Sequence, residues 1–212
     1  NTLIVTGGKI NKNFLKRHLN NNKYDIIIAV DKGLDILSTL NIKVNYIIGD
    51  FDSINKEILE KYKNTDAKIQ KLNKEKDFTD TSVALNLAIE KGSKNITIIG
   101  AIGTRIDHTI ANIHILKETL NKNIKAKIIN EKNEIELLNK ETKIEKDNRY
   151  KYISIIPFTD TVTGLTITGM KYHLKNYTLQ IGTSLGVSNE QIENYAKIQI
   201  RTGIIILIKS RD

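Results

Sequence analysis

The chain has no cysteine and no tryptophan, and its 212 residues include one methionine and one proline. Without a thiol there can be no disulfide scaffold, thiolate zinc site, iron–sulfur cluster or cysteine nucleophile, and the sequence suits a reducing compartment. Long apolar runs are missing too. Residues 204–208 form one of the longest, far short of the ~20 residues that cross a bilayer, so no membrane partner is expected. The start of the chain has no signal-peptide pattern, and a cytoplasmic location is the expectation. Aromatics make up 6% of the residues, and the net charge of +9 is mostly lysine spread along the chain. With no arginine cluster and no set of stacking aromatics, no nucleic-acid partner is expected. What remains is 40% hydrophobic and 27% charged. That is enough apolar surface to fold as one large domain or two small ones.

The pattern changes along the chain. Up to residue 123, short β-branched runs at 2–6, 25–30, 46–48 and 96–99 alternate with helical stretches at 13–19, 34–40, 55–62, 81–90 and 108–120. Such alternation predicts a mostly parallel sheet with helices on both faces. From residue 124 the helical period disappears. Strand-like runs at 128–130, 135–138, 152–156, 165–167, 198–200 and 204–208, separated by polar turns, predict an antiparallel sandwich or barrel over 124–212. Pro157 falls within that half and is expected at a strand end.

Ligands of open α/β sheets bind beyond the carboxyl ends of the strands. In this sequence those positions are acidic. Asp31 follows the second strand, Asp50 and Asp52 follow the third after Gly49, Asp107 follows the loop after residue 99, and Asp77 and Asp80 open the helix at 81. Each taken alone reads as a helix cap or first-turn acid. Capping, however, needs one acceptor per helix and does not account for the Asp50/Asp52 pair. Two neighbouring carboxylates repel unless a cation lies between them, and an all-oxygen donor set selects Mg²⁺. The same edge carries Gly7-Gly8, Lys32-Gly33 and the run from Gly100 to Arg105, which supply turns with outward N–H groups and a guanidinium fork for phosphate. There is neither a Walker A motif nor a G-x-G-x-x-G fingerprint. The residues therefore point to a Mg²⁺-dependent enzyme acting on a nucleotide or other polyphosphate, with the acceptor open.

Five strings narrow this further. Gly49-Asp50-Phe51-Asp52-Ser53, Lys76-Asp77-Phe78-Thr79-Asp80, the run from Gly100 to His108, the run from Gly169 to Leu174 and the run from Gly182 to Glu190 resemble, in order, the motifs of the thiamine pyrophosphokinase family. The resemblance implies an α/β N-terminal domain with a mostly parallel, Rossmann-like sheet (1–123, binding ATP and Mg²⁺) followed by a C-terminal antiparallel β-sandwich (124–212, binding thiamine). It implies a homodimer with shared active sites, and transfer of the pyrophosphoryl group of ATP to the thiamine hydroxyl with release of AMP. By that resemblance Asp50, Asp52 and Asp80 are the catalytic and Mg²⁺-binding acids. Asp31, Lys76, Asp77, Arg105, Asp107 and His108 belong to the nucleotide site, and Tyr172, Thr183, Ser188 and Asn189 to the thiamine site. Two positions depart from the family pattern. The turn after the second strand reads Asp31-Lys32-Gly33 in place of Asp-Gly-Gly, and His173 replaces a proline.

Gly182-Thr183-Ser184-Leu185-Gly186 also fits the G-x-S-x-G nucleophile elbow, which needs a strand-turn-helix setting and a later histidine. The last histidine is His173, and a hydrolase is set aside. Two alternatives stay open: another Mg²⁺-dependent phosphotransferase or phosphatase, and a non-catalytic sensor of thiamine phosphates or nucleotides.

Overall fold

In the computed structural model, which describes residues 1–52, 54–73, 75 and 77–212, the chain divides into two compact units, Asn1–Glu131 and Lys132–Asp212. The first alternates strand and helix: β1 (Thr2–Val5), α1 (Lys12–Asn21), β2 (Ile26–Val30), α2 (Gly33–Thr39), β3 (Tyr46–Gly49), α3 (Lys56–Lys63), β4 (Lys68–Lys71), α4 (Asp80–Glu90), β5 (Asn95–Ile99), α5 (Ile106–Ile115), α6 (Lys117–Leu120) and β6 (Lys125–Ile129). The six strands run parallel in the order β4-β3-β2-β1-β5-β6. Successive strand side chains point to opposite faces, and in β1 both faces are covered. Leu3 and Val5 pack with Leu15, Leu34 and Leu37 of α1 and α2. Ile4, also fully buried, faces the other way, where α4 lies over β1, β2 and β3. A strand buried on both sides must be apolar throughout, which is why these runs are continuous and not alternating.

The strand order places the ligand crevice. The chain steps outward from β1 to β4, and α4 then returns it to the far side of β1, where it continues as β5 and β6. The direction of winding thus reverses between β1 and β5, and an open α/β sheet receives its ligands beyond the strand ends at that point.

The second unit contains β7 (Asn133–Leu138), β8 (Thr142–Glu145), β9 (Tyr152–Pro157), β10 (Thr161–Thr168), β11 (Leu174–Gln180), β12 (Tyr195–Gln199) and β13 (Ile205–Ser210). Its strands pair antiparallel as β7-β13-β9 and as β11-β10-β12-β8. Ile153, Ile155 and Leu207 from the first group meet Val162, Leu165, Ile167, Leu179 and Ile198 from the second in one apolar core. This is a sandwich, and it resolves the choice between sandwich and barrel. Pro157 ends β9, an outer strand, where its missing N–H costs no ladder bond.

The α/β-plus-sandwich class is as the sequence predicts, but several elements differ from expectation. Lys125–Ile129 pairs parallel with β5, so the first unit runs on to Glu131 and not to residue 123. The stretch 108–120 is two helices with a break at Leu116. Strands β4, β8 and β11 carry almost no apolar signal, because each is an outer strand of its sheet. In β11 only Leu179 is buried.

Candidate active site

The helices next to the crevice are capped by residues other than the aspartates. Asn11 caps α1, accepting from the N–H groups of Asn13 and Phe14. Asn55 caps α3, accepting from Glu57, and Thr79 caps α4, accepting from Ser82. The cap positions of α2 and α5 are Lys32 and Arg105, neither of which makes a side-chain cap bond. None of the acids at this edge is therefore an N-cap. Asp80 and Asp107 lie in first helical turns, where a carboxylate gains from the helix dipole.

Asp31, Asp50, Asp77 and Asp80 line one cleft of about 690 Å³ together with Lys9, Lys32, Arg105, His108 and the Gly7-Gly8 and Gly100 turns. Two tight backbone approaches shape it. A Cβ on Gly49 would collide with Asp31 Oδ1, and a Cβ on Gly8 would collide with the Gly100 carbonyl oxygen. The first approach brings the Asp31 carboxylate against the chain one residue before Asp50. The second keeps the β1 and β5 turns bare of side chains where they meet. Asp31 (φ 46°) and Phe51 (φ 66°) both hold left-handed backbone, a conformation that costs energy for a residue with a side chain and clusters at functional sites. At the departure from Asp-Gly-Gly, Lys32 holds right-handed helical backbone (φ −56°), which any residue adopts, so the left-handed turn falls on Asp31 and not on the changed position. Gly33, buried against the Val5 carbonyl, has no room for a Cβ.

Asp50 Oδ1 accepts the Asp52 N–H at 3.0 Å, which ties the two acids into one turn. Asp52 is exposed and does not line the cleft. Asp107 likewise stands outside it, engaged with Arg105: Nη2 to Oδ2 at 2.5 Å and Nε to Oδ1 at 3.3 Å. The Arg105 guanidinium, helped by the His108 N–H, holds the Asp107 carboxyl below the usual carboxylate range, and Asp107 pushes Arg105 up in turn. Lys76 lies outside the described residues. Among the described residues no group of three or more His, Asp and Glu side chains forms a metal cage. Mg²⁺ is commonly held by one or two carboxylates, with phosphate oxygens and water completing its octahedron, and an all-carboxylate donor set beside phosphate-binding turns fits that use.

The loop after β5 is braced from α5 by residues that the sequence reading did not single out. Asn112, buried, donates from Nδ2 to the Ala101 carbonyl at 2.9 Å. Thr109 Oγ1 accepts the Gly103 N–H and donates to the Arg105 carbonyl, each at 3.2 Å. Asn112 also lines the cleft. A polar residue one turn after His108 was its only signal in the sequence.

In the second unit, Asn189 is buried and both ends of its amide are engaged. Its Oδ1 accepts the N–H groups of Tyr172 and Glu190, and its Nδ2 donates to the Tyr172 carbonyl at 2.7 Å. The structure therefore gives Asn189 the task of fixing Tyr172. The Tyr172 ring is 61% exposed, and Lys171 Nζ lies 5.7 Å from its centroid. Ser188 holds φ 59°, and its N–H donates to Ser154 Oγ. Thr183 Oγ1 accepts the Leu185 N–H. Ser184 sits in a run of turns with no helix after it, so the nucleophile-elbow reading has no structural support.

Comparison with known proteins agrees with the motifs. The family model described as "Thiamin pyrophosphokinase, catalytic domain" matches residues 17–128, and "Thiamin pyrophosphokinase, vitamin B1 binding domain" matches 141–205. The chain is 36% identical over 192 residues to the thiamine pyrophosphokinase of Bacillus subtilis (strain 168), covering 90% of each sequence. A crystal structure of thiamine pyrophosphokinase from Bacillus subtilis superposes with a TM-score of 0.90 at 36% identity, covering 100% of this chain and 99% of the other. One from Geobacillus thermodenitrificans gives 0.88 at 29% identity, covering 100% and 97%. Two family models that divide the sequence nearly where the fold divides, and a relative this similar along nearly its full length, establish that the chain belongs to the thiamin pyrophosphokinase family.

Proposed function

We propose that the protein transfers the β,γ-pyrophosphoryl group of ATP to the hydroxyl of thiamine, giving thiamine diphosphate and AMP. Family membership makes it a thiamine diphosphokinase. The observation that carries the ATP and Mg²⁺ part is the cleft at the β1/β5 reversal, where Asp31, Asp50, Asp77 and Asp80 face Arg105 and the glycine turns. Phosphoryl-type transfer asks mainly for positioning and for neutralisation of charge. Asp50, Asp52 and Asp80 would hold Mg²⁺, which would supply positive charge to offset that of the phosphates. Asp31 and Asp77 complete the acidic wall and His108 lines the same cleft, and by its place in the motif Lys76 would serve the nucleotide. Arg105 is presented by its Asp107 pair, so its guanidinium is already oriented before a phosphate takes over one edge of the fork.

For thiamine, the exposed Tyr172 ring offers its face to the thiazolium cation, an attraction of roughly 0.5–2 kcal/mol. Thr183 and Ser188 lie on the neighbouring loop, and Asn189 holds the aromatic in place. Ile181, Leu185 and Val187 on that loop are largely exposed. An apolar surface around a polar ligand site supports burial against a second copy of the chain, hence a homodimer whose sites use both subunits. The cysteine-free sequence supports a cytoplasmic enzyme.

Incubation with ATP, Mg²⁺ and thiamine tests the reading. Thiamine diphosphate and AMP are the expected products. Formation of ADP or free phosphate would instead favour another phosphotransferase or a phosphatase, and binding of thiamine phosphates or nucleotides without turnover would favour a sensor.

A further inference from the structure

Lys32 stands where the family pattern carries the first glycine of Asp-Gly-Gly, and the local structure gives no reason for a lysine. It opens α2 in right-handed helical backbone (φ −56°, ψ −12°) and makes no side-chain cap bond. A cation at the start of a helix faces the positive end of the dipole, where a carboxylate or a capping oxygen is favoured. The residue is exposed, so apolar burial does not account for it. A local rule broken without a local gain is expected at a functional site.

The surroundings supply the gain. Lys32 lines the acidic cleft with Asp31, Asp50, Asp77 and Asp80, yet among the described residues it forms no ion pair with them. Arg105, in the same cleft, is by contrast committed to Asp107. Gly7 makes room for the lysine. A Cβ on Gly7 would come within 3.3 Å of Lys32 Cβ, and Gly7 has no left-handed backbone that would call for glycine by itself. The base of the Lys32 side chain therefore lies against the β1 turn, at the rim of a cleft walled by carboxylates. A polyanion entering such a cleft gains from each fixed cation, and an ammonium on a flexible stem binds phosphate as a point charge. We propose that Lys32 contacts the polyphosphate in the acidic cleft, a fixed ammonium that shares charge neutralisation with Mg²⁺ and that the Asp-Gly-Gly pattern lacks. This rests on the polyphosphate reading of the cleft and adds to it a binding residue.

The test is calorimetric titration with inorganic tripolyphosphate in the presence of Mg²⁺ and, separately, with Mg²⁺ alone. Lys32→Gln removes the charge and keeps most of the side chain. It weakens tripolyphosphate by about five- to tenfold, the scale of one charge-assisted contact, and Lys32→Arg retains wild-type binding. Because the lost contact is ionic, added salt weakens tripolyphosphate less steeply in Lys32→Gln than in the wild-type protein. Mg²⁺ alone binds Lys32→Gln at least as tightly as wild type, since a cation beside the acids has gone, and the unfolding temperature does not fall. Lys32→Gly, which restores the family-pattern residue, shows the same loss and serves if Lys32→Gln folds poorly. Lys23→Gln, exposed and just before β2 at the opposite ends of the strands, controls for net charge and leaves tripolyphosphate unchanged. Unchanged tripolyphosphate binding in both Lys32 variants overturns the proposal. So does an equal loss in Lys23→Gln, which would reduce the effect to net charge, or a parallel loss of Mg²⁺ affinity, which would place Lys32 behind the acids. Failure of the wild-type protein to bind tripolyphosphate with Mg²⁺ overturns the polyphosphate reading itself, so the two failures are distinguishable.

Discussion

Gly49 has no Cβ because the Asp31 carboxylate occupies that space, and this contact joins two acids that are 19 positions apart in the sequence. The residue-scale predictions follow from what each carboxylate touches. Asp52→Asn and Asp80→Asn each lower turnover by about 10²-fold or more, the scale of removing one charge-stabilising group. Asp52→Asn leaves the unfolding temperature unchanged, because it sits exposed in a turn. An active variant whose Mg²⁺ dependence matches wild type would remove that residue from the metal set. Asp35, in the first turn of α2, has its Oδ1 buried without a hydrogen-bond partner. Asp35 does not line the cleft, so Asp35→Asn keeps full activity. It also raises the unfolding temperature, since a neutral amide costs less than a carboxylate at that buried position, by more than the few tenths of a kcal/mol a first-turn acid contributes. A drop in that temperature would show that the dipole contribution dominates. Tyr150 is the residue-scale pH probe. Burial, with Glu134 nearby, pushes its hydroxyl from 10.0 up to about 12. Between those values the unfolded chain releases a proton that the folded chain keeps, so stability falls as pH rises through that window. Tyr150→Phe lacks this loss, and unfolding temperatures of the two proteins from pH 9 to pH 12 should converge or cross in favour of the variant.

At the scale of elements, the site depends on how helix starts are built. Thr79 caps α4 through the Ser82 N–H, and Asp80 is the first residue of that helix. Capping and the proposed metal-binding role are thereby divided between neighbours. Thr79→Ala costs about 1 kcal/mol, which for a chain of this size lowers the unfolding temperature by roughly 2–4 °C, and Thr79→Ser restores it. A loss of turnover in Thr79→Ala larger than the loss of stability, measured well below the unfolding temperature, would show that the cap also orients Asp80. The elements also explain where sequence patterns failed. Outer strands such as β4 and β11 stay polar because pairing on one side and water on the other leave little to bury, and polar strands resist edge-to-edge association. Lys125–Ile129 was expected to belong with the second half because no helix separates it from the strands that follow. Its side chains alone do not distinguish a parallel partner from an antiparallel one.

At the scale of the whole molecule, the proposal is that Tyr172 and Ser188 of one subunit serve the acidic cleft of the other. Mixing an Asp80→Asn protein with a Tyr172→Ala protein under subunit exchange then restores part of the activity, because each heterodimer carries one site free of both changes. Native mass measurement should show exchange between the impaired parents. Exchange without recovery would mean that each chain completes its own site.

The sequence by itself determined the division into an α/β half and an all-β half, since hydrophobic period is a local property, and it placed acids and glycines at the candidate site, since residues after strand ends are legible in order. It also carried the family, through five short strings spread over nearly the whole length. Tertiary structure decided what depends on contacts between distant residues. It showed that Thr79, Asn11 and Asn55 do the capping, and that Asp31, Asp50, Asp77 and Asp80 line the cleft while Asp52 and Asp107 do not. It gave Asn112 and Thr109 the loop after β5 to hold, and turned Asn189 inward to fix Tyr172. Local pattern records which face a residue prefers, whereas strand order decides which turns meet, and here that meeting point is the reversal between β1 and β5.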